Sequence, residues 1–262
     1  MISRDLIKKI FPKRFLKLLR RLQTYILPGC PDKLSPIFNL NSRIIYSGEG
    51  EDVILHNMFL GRERGFYVDV GAHHPKRYSN TYLFYKRGWR GINIDAAPGS
   101  MRSFSKVRPG DINLEVGCAK YAGLKEFIVY DEPLVSTFSN DLVQERTTRN
   151  TSWHILDRVM VDVMPLSEIL DRHLPQKQKI DFMSIDVEGL DLEVLESNDW
   201  SRYRPLYVLV EILEQGDGLH DGNFFSLSEL EKSQISLFMK KNNYILYLRS
   251  GNTVFFRDVS GN

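Results

Sequence analysis

Cysteine is almost absent: Cys30 and Cys118 are the whole supply in 262 residues. Two thiols in such unlike contexts make neither a disulfide framework nor a zinc-ligand spacing. One loop thiol and one small core residue are expected, in a reducing, cytosolic compartment. Long apolar runs are lacking too. No stretch approaches the roughly 20 residues of a membrane span. Lysines and arginines interrupt every apolar stretch of residues 1–27, unlike a secretory leader. There is no G-x-G-x-x-G, so a dinucleotide pyrophosphate lacks its close-approach glycines, and no G-x-x-x-x-G-K-S/T phosphate loop. Nicotinamide dehydrogenase and P-loop chemistry are thereby set aside. Repeats and low-complexity tracts are missing, and no Pro/Gly/Ser-rich linker divides the middle. One large α/β domain is the expectation.

The charge is unevenly spread. Residues 1–27 hold eight basic side chains against Asp5 alone, a net +7 in a chain whose total is +2, so the rest is net −5. That body is a poor nucleic-acid binder. Within residues 5–26, Leu6, Ile7, Ile10, Phe11, Phe15, Leu18, Leu19, Leu22, Tyr25 and Ile26 recur at helical steps, with basic residues opposite and Pro12 near the start. Two readings stand equal. One is an interfacial helix on anionic lipid, which would place a cytoplasmic protein at the inner membrane surface. The other is a helix packed on the body or on a second copy in a homo-oligomer. Pro28, Gly29, Pro31 and Pro36 then make a linker, so residues 1–45 read as helix and linker and 46–262 as the body.

The body alternates strands and helices, which predicts a mostly parallel sheet with helices on both faces. Expected strands are Phe66–Val70, Gly91–Asp95, Ile112–Val116, Ile180–Asp186 and Leu206–Ile212. Tyr244–Leu248 and Thr253–Arg257 flank Arg249-Ser250-Gly251-Asn252, a hairpin that ends a seven-stranded sheet antiparallel. Helices are expected over Glu51–Leu60, Asn80–Arg87, Leu190–Glu196 and Ser226–Asn242. Between the third and fourth strands lies an excursion, 118–179, with short strands at Glu126–Tyr130 and Arg158–Val163, of the kind that carries substrate contacts.

Three strand ends carry chemistry. Phe66-Tyr67-Val68-Asp69-Val70-Gly71-Ala72-His73 ends in an acid and a glycine that lets backbone approach a ligand. Gly91-Ile92-Asn93-Ile94-Asp95 ends in an acid 24 residues after Gly71, placed to accept both hydroxyls of a ribose. Ile185-Asp186-Val187-Glu188-Gly189 brings two more carboxylates to the same rim. Asp186 could touch a cofactor, bind a metal or take a proton; Glu188 reads equally as a helix N-terminal acid.

Together with Tyr46-Ser47, Gly50-Glu51-Asp52-Val53-Ile54-Leu55, Ser79-Asn80-Thr81 and Gly88-Trp89-Arg90, these pieces resemble the FkbM family of S-adenosylmethionine-dependent methyltransferases over about Tyr46 to Arg257. Gly48 departs from the family's frequent glutamine, and Met164-Pro165-Leu166 lacks its usual polar residue. The resemblance implies a Rossmann-like class I methyltransferase fold and O-methylation, often of a sugar or other hydroxylated product. A small-molecule tailoring enzyme, for antibiotics or lipids, and a non-catalytic adaptor are the alternatives. It also implies that Glu51, Asp69, Gly71, Ala72, His73, Asn80 and Asp186 surround the methionine end of the cofactor. Asp95 and Ala96 would flank the ribose, and Gly117-Cys118-Ala119 would lie near the adenine.

A hydroxyl needs its proton removed as it attacks, so a base or a metal is expected. Asp186 is the first candidate, with Glu211 on the same rim completing a carboxylate site for magnesium. His154 and His220 are alternative bases on loops, and Asp217, His220 and Asp221 sit in a glycine-rich loop of no standard metal spacing.

Overall fold

The computed structural model describes residues 43–149, 152–212 and 226–261. The basic helix of 5–26, Cys30, His220, Asp217 and Asp221 lie outside them. The chain divides into two compact units, Met1–Ile45 and Tyr46–Asn262.

Within the second unit the elements run α1 (Glu51–Met58), β1 (Phe66–Val70), α2 (Tyr82–Lys86), β2 (Arg90–Asp95), α3 (Met101–Val107), β3 (Ile112–Glu115), β4 (Gly117–Cys118) and β5 (Gly123–Tyr130). A 3-10 turn (Pro133–Val135) leads to α4 (Asn140–Thr148), β6 (Ile155–Met164), α5 (Leu166–His173), β7 (Phe182–Ile185), α6 (Asp191–Glu196) and β8 (Tyr207–Glu211). The chain ends with α7 (Leu227–Leu230), α8 (Gln234–Lys241), β9 (Tyr244–Ser250) and β10 (Thr253–Asp258).

The main sheet is seven-stranded in the order β3-β2-β1-β7-β8-β10-β9. Strands β3, β2, β1, β7 and β8 are parallel neighbours, and β10 alone runs against both of its neighbours. The expected hairpin is there, but its second strand inserts between β8 and β9. The single helix expected over Ser226–Asn242 is two, because Ser226 caps α7 with Glu229 in a reciprocal box and Ser233 caps α8. Helices α3, α4 and α5 have no counterpart in the sequence reading.

Strand pleating sorts the side chains into two layers. Val68, Val70, Ile92, Ile94, Met183, Ile185, Val208 and Val210 pack with α5, α6 and α8 on one face. Tyr67, Phe182, Leu209 and Phe255 pack with Leu55, Phe59, Phe84 and Trp89 on the other. Each such side chain contributes about 1.5–3 kcal/mol on burial. With both faces covered, every residue of β1 is buried, which is why that strand reads as a continuous apolar run broken only by Asp69. The chain winds outward from β1 to β3 and then returns to β7 beside β1, so the carboxyl ends of β1 and β7 form a topological switch point, where open α/β sheets bind ligands. The excursion adds a small sheet, β4-β6-β5, whose Phe127 and Val163 pack with Ala119 and Phe138.

Candidate active site

At the switch point the ends of β1 and β7 are clasped: Asp186 N–H donates to the Val70 carbonyl at 3.0 Å, and Gly71 and Ala72 N–H both donate to that of Ile94. Gly71 takes φ 82°, and a Cβ there would fall 1.7 Å from the Asp186 carbonyl oxygen. No other residue fits without parting the strands. Beyond the clasp opens a cleft of about 430 Å³, bordered by Gly71, His73, Asp95, Ala96, Gly117, Cys118, Asp186 and Glu188, with Phe127, Phe138 and Leu190 from other elements.

Asp95, at the end of β2, accepts from His73 N–H at 2.7 Å and from Ala97 N–H at 2.8 Å, one bond per carboxylate oxygen. A carboxylate has about four lone-pair sites, so these two bonds do not exhaust it. Burial raises the Asp95 pKa, against hydrogen bonds from Ala97, His73 and the Ser100 side chain. Small and apolar groups at Ala96, Val116, Gly117 and Phe138 give this part of the cleft an apolar wall. Cys118 is buried, its thiol pushed up to about 12, so it serves as wall and not as nucleophile.

Three carboxylates meet beside this wall. Asp186, Glu188 and Glu211 each offer an oxygen within 4.8 Å of the others. Asp186 opens to the cleft, yet the protein around it raises its pKa by desolvation; a hydrogen bond from Glu211 opposes the rise, and the charge of Glu51 adds to it. Glu211 is pushed well above the carboxylate range by burial and then by Asp186, Glu188 and Asp191. Two carboxylates this close both hold protons more tightly than free ones, because burial and mutual repulsion disfavour a second negative charge. Glu188 stands at φ 52°, is pushed up to about 7 mainly by burial, and is paired with Arg146 of α4 at 2.6 Å.

Four of the residues expected at the cofactor lie elsewhere than on the cleft wall. Asp69 projects to the other face of β1, where it accepts from the Thr81 hydroxyl at 2.6 Å and lies near Arg108; burial lifts it to about 6. Ala72 packs on Met101 and Phe104 of α3. Asn80 donates to the Ser184 hydroxyl at 2.9 Å. Glu51 is buried, accepting from Glu49 N–H and from the Thr253 hydroxyl, close enough to act on Asp186 by its charge. His154 is exposed at the start of β6, bonded to Asp131 and apart from the cleft.

Asp191 and Arg146 were not foreseen. The Asp191 carboxylate accepts from Val187 and Gly189 N–H, both at 3.2 Å, and so ties the turn that presents Asp186 and Glu188. Burial and the charge of Asp186 push it up to about 8. Its signal in the sequence was an acid two residues past a glycine, at the mouth of a helix. Arg146 gave none, since it lies 42 residues from Glu188.

The sequence profile of the methyltransferase FkbM domain matches residues 69–246. The chain belongs to the FkbM methyltransferase family. It is therefore an S-adenosylmethionine-dependent methyltransferase. No curated protein matches the sequence. Among solved structures, this FkbM protein is similar to a TehB-like SAM-dependent methyltransferase from Corynebacterium glutamicum, at 7% identity over 94% of this chain and 97% of the other, with a TM-score of 0.38. It is also similar to a precorrin-6y C5,15-methyltransferase from Geobacter metallireducens, at 11% identity over 78% and 84%, with a TM-score of 0.34. Neither likeness bears on this chain's activity. No helix among the described residues is long and apolar enough to cross a membrane.

Proposed function

We propose that this FkbM methyltransferase methylates a hydroxyl oxygen of a sugar, a glycan or a glycolipid. The observation that carries the reading is the carboxylate cluster at the cleft: Asp186 opens to it, with Glu188 and Glu211 oxygens within 4.8 Å, and burial raises its proton affinity. The donor supplies a sulfonium-bound methyl group, which needs no further activation. The chain's own task is to place the hydroxyl in line with that methyl at near-attack distance and to accept the proton on Asp186 as the oxygen–carbon bond forms. Asp95 and the apolar wall by Gly117 would fix the donor, while Asp191 ties the turn that carries Asp186.

The same carboxylates support a second form of the reading, in which Asp186 and Glu211, with Glu188, hold a magnesium ion that lowers the hydroxyl's pKa. Labelled donor offered with sugars, nucleotide sugars, polysaccharides and hydroxylated small molecules tests the proposal. Transfer should fall about 10²–10⁴-fold in Asp186→Asn with donor binding kept. Undiminished transfer in that variant would remove Asp186 as base, and transfer only to small-molecule products would move the acceptor class. Insensitivity to chelators would exclude the magnesium form. The basic segment of residues 1–27 suits an anionic lipid surface, and liposome binding unchanged by deletion of residues 1–30 would reject that role.

A further inference from the structure

We infer that Arg77, on the wall of the cleft, with Tyr78 next to it in the chain, binds the acceptor and selects a sugar bearing a carboxylate or a phosphate. This rests on the proposed hydroxyl acceptor and adds its charge class.

The cleft is electrically polar. Asp95, Asp186 and Glu188 supply acids, whereas the loop after Gly71 supplies His73, His74 and Arg77. Desolvation lowers the pKa of both imidazoles and so favours their neutral forms. Arg77 is the sole lysine or arginine on the cleft wall among the described residues, and no carboxylate there pairs with it. Arg108 and Arg146, by contrast, are committed to Asp111 and to Glu188. An uncompensated guanidinium facing a cleft is a fork for a planar or tetrahedral anion.

The turn that carries it is built. The His74 ring Nδ1 accepts from both Lys76 and Arg77 N–H at 3.0 Å, and Ser79 N–H donates to the Tyr46 carbonyl at 2.9 Å. Tyr78 follows, just outside the cleft wall, in the left-handed region at φ 53° and 60% exposed. A large residue held there against backbone preference and left open to solvent suits a stacking face for a sugar ring. An anionic group is repelled by Asp186 and Glu188 and attracted by Arg77. The acceptor would thus lie with its hydroxyl at Asp186 and its anion at Arg77, which sets both register and specificity.

The donor's own carboxylate is the competing claimant for Arg77, and calorimetry separates the two. Full-length protein saturated with S-adenosylhomocysteine is titrated with glucose 6-phosphate, glucuronate and glucose at one ionic strength. Both acids should bind about tenfold or more tighter than glucose, as one charge-assisted hydrogen bond provides. Arg77→Ala should abolish that preference and leave S-adenosylhomocysteine affinity unchanged, Arg77→Lys should keep part of it, and Tyr78→Ala should weaken all three sugars alike. Equal binding of acids and glucose, no binding of the acids, or weaker S-adenosylhomocysteine binding in Arg77→Ala would overturn the inference. Asp186-dependent methylation of neutral sugars would, in that case, leave the hydroxyl reading standing.

Discussion

Arg108, at the end of α3, and Asp186, just past the end of β7, both lie against the seven-stranded sheet, and their surroundings differ in sign. Arg108 is fully enclosed; its guanidinium donates to Asp111 at 2.9 Å, to the Tyr67 hydroxyl at 2.7 Å and to that of Thr81 at 2.9 Å. Asp69 and Asn93 join the same net through Thr81 and Asp111. Opposite charges and neutral donors alternate there, and the outcome is rigidity. Around Asp186, Glu51, Glu188, Asp191 and Glu211 crowd together, with Arg146 paired to Glu188 as the one ion pair among the described residues of that cluster, and pKa values rise. A network of opposite charges holds the strands, and a cluster of like charges raises the proton affinity of the acids in it.

Breaking the Arg108 network should cost the most stability. Arg108→Met leaves Asp111 and Asp69 buried without their cation and should destabilise the fold by about 3–5 kcal/mol, read from urea unfolding, with donor affinity of the folded protein retained. Loss of donor affinity at intact stability would reverse the roles assigned to the two clusters.

The acidic cluster should show itself in pH dependence. Glu188 at about 7 and Asp191 at about 8 hold protons more tightly folded than unfolded, where carboxylates titrate near 4. Their contribution is therefore complete below about pH 4 and is lost as pH rises through 7 and 8, roughly 3 kcal/mol for Glu188 alone. Urea midpoints at about pH 5 and pH 9 should differ in that direction, and Glu188→Gln should flatten part of the slope. The smallest effect is expected outside both clusters. Arg158→Ala breaks an exposed pair with Glu126, 42% and 47% accessible, and should change stability by about 0.5 kcal/mol or less.

Much of the frame was legible. Strand β1 coincides with its expected bounds, and β2, β3, β7 and β8 agree within a residue or two, because strands buried on both faces leave dense apolar runs. Helix α3 was missed because its buried face is only Met101 and Phe104 among polar residues, too few to set a period. The break before α8 was written as Ser233, an N-cap signal overridden by the longer helical pattern. Asp69 shows the limit most clearly: the pleat turns it away from the face of Val68 and Val70, toward a cation 39 residues further along the chain.

The sequence by itself determined the parallel sheet, the glycine turn and the acids at the ends of β1, β2, β7 and β8, since each follows from local pattern and from strand ends sharing one rim. Only the tertiary structure decided which acids would face one another. Asp186, Glu188 and Glu211 become a coupled cluster, and Asp69 a partner of Arg108, through strand order and pleat direction, which fix distances and burial that no local spacing encodes.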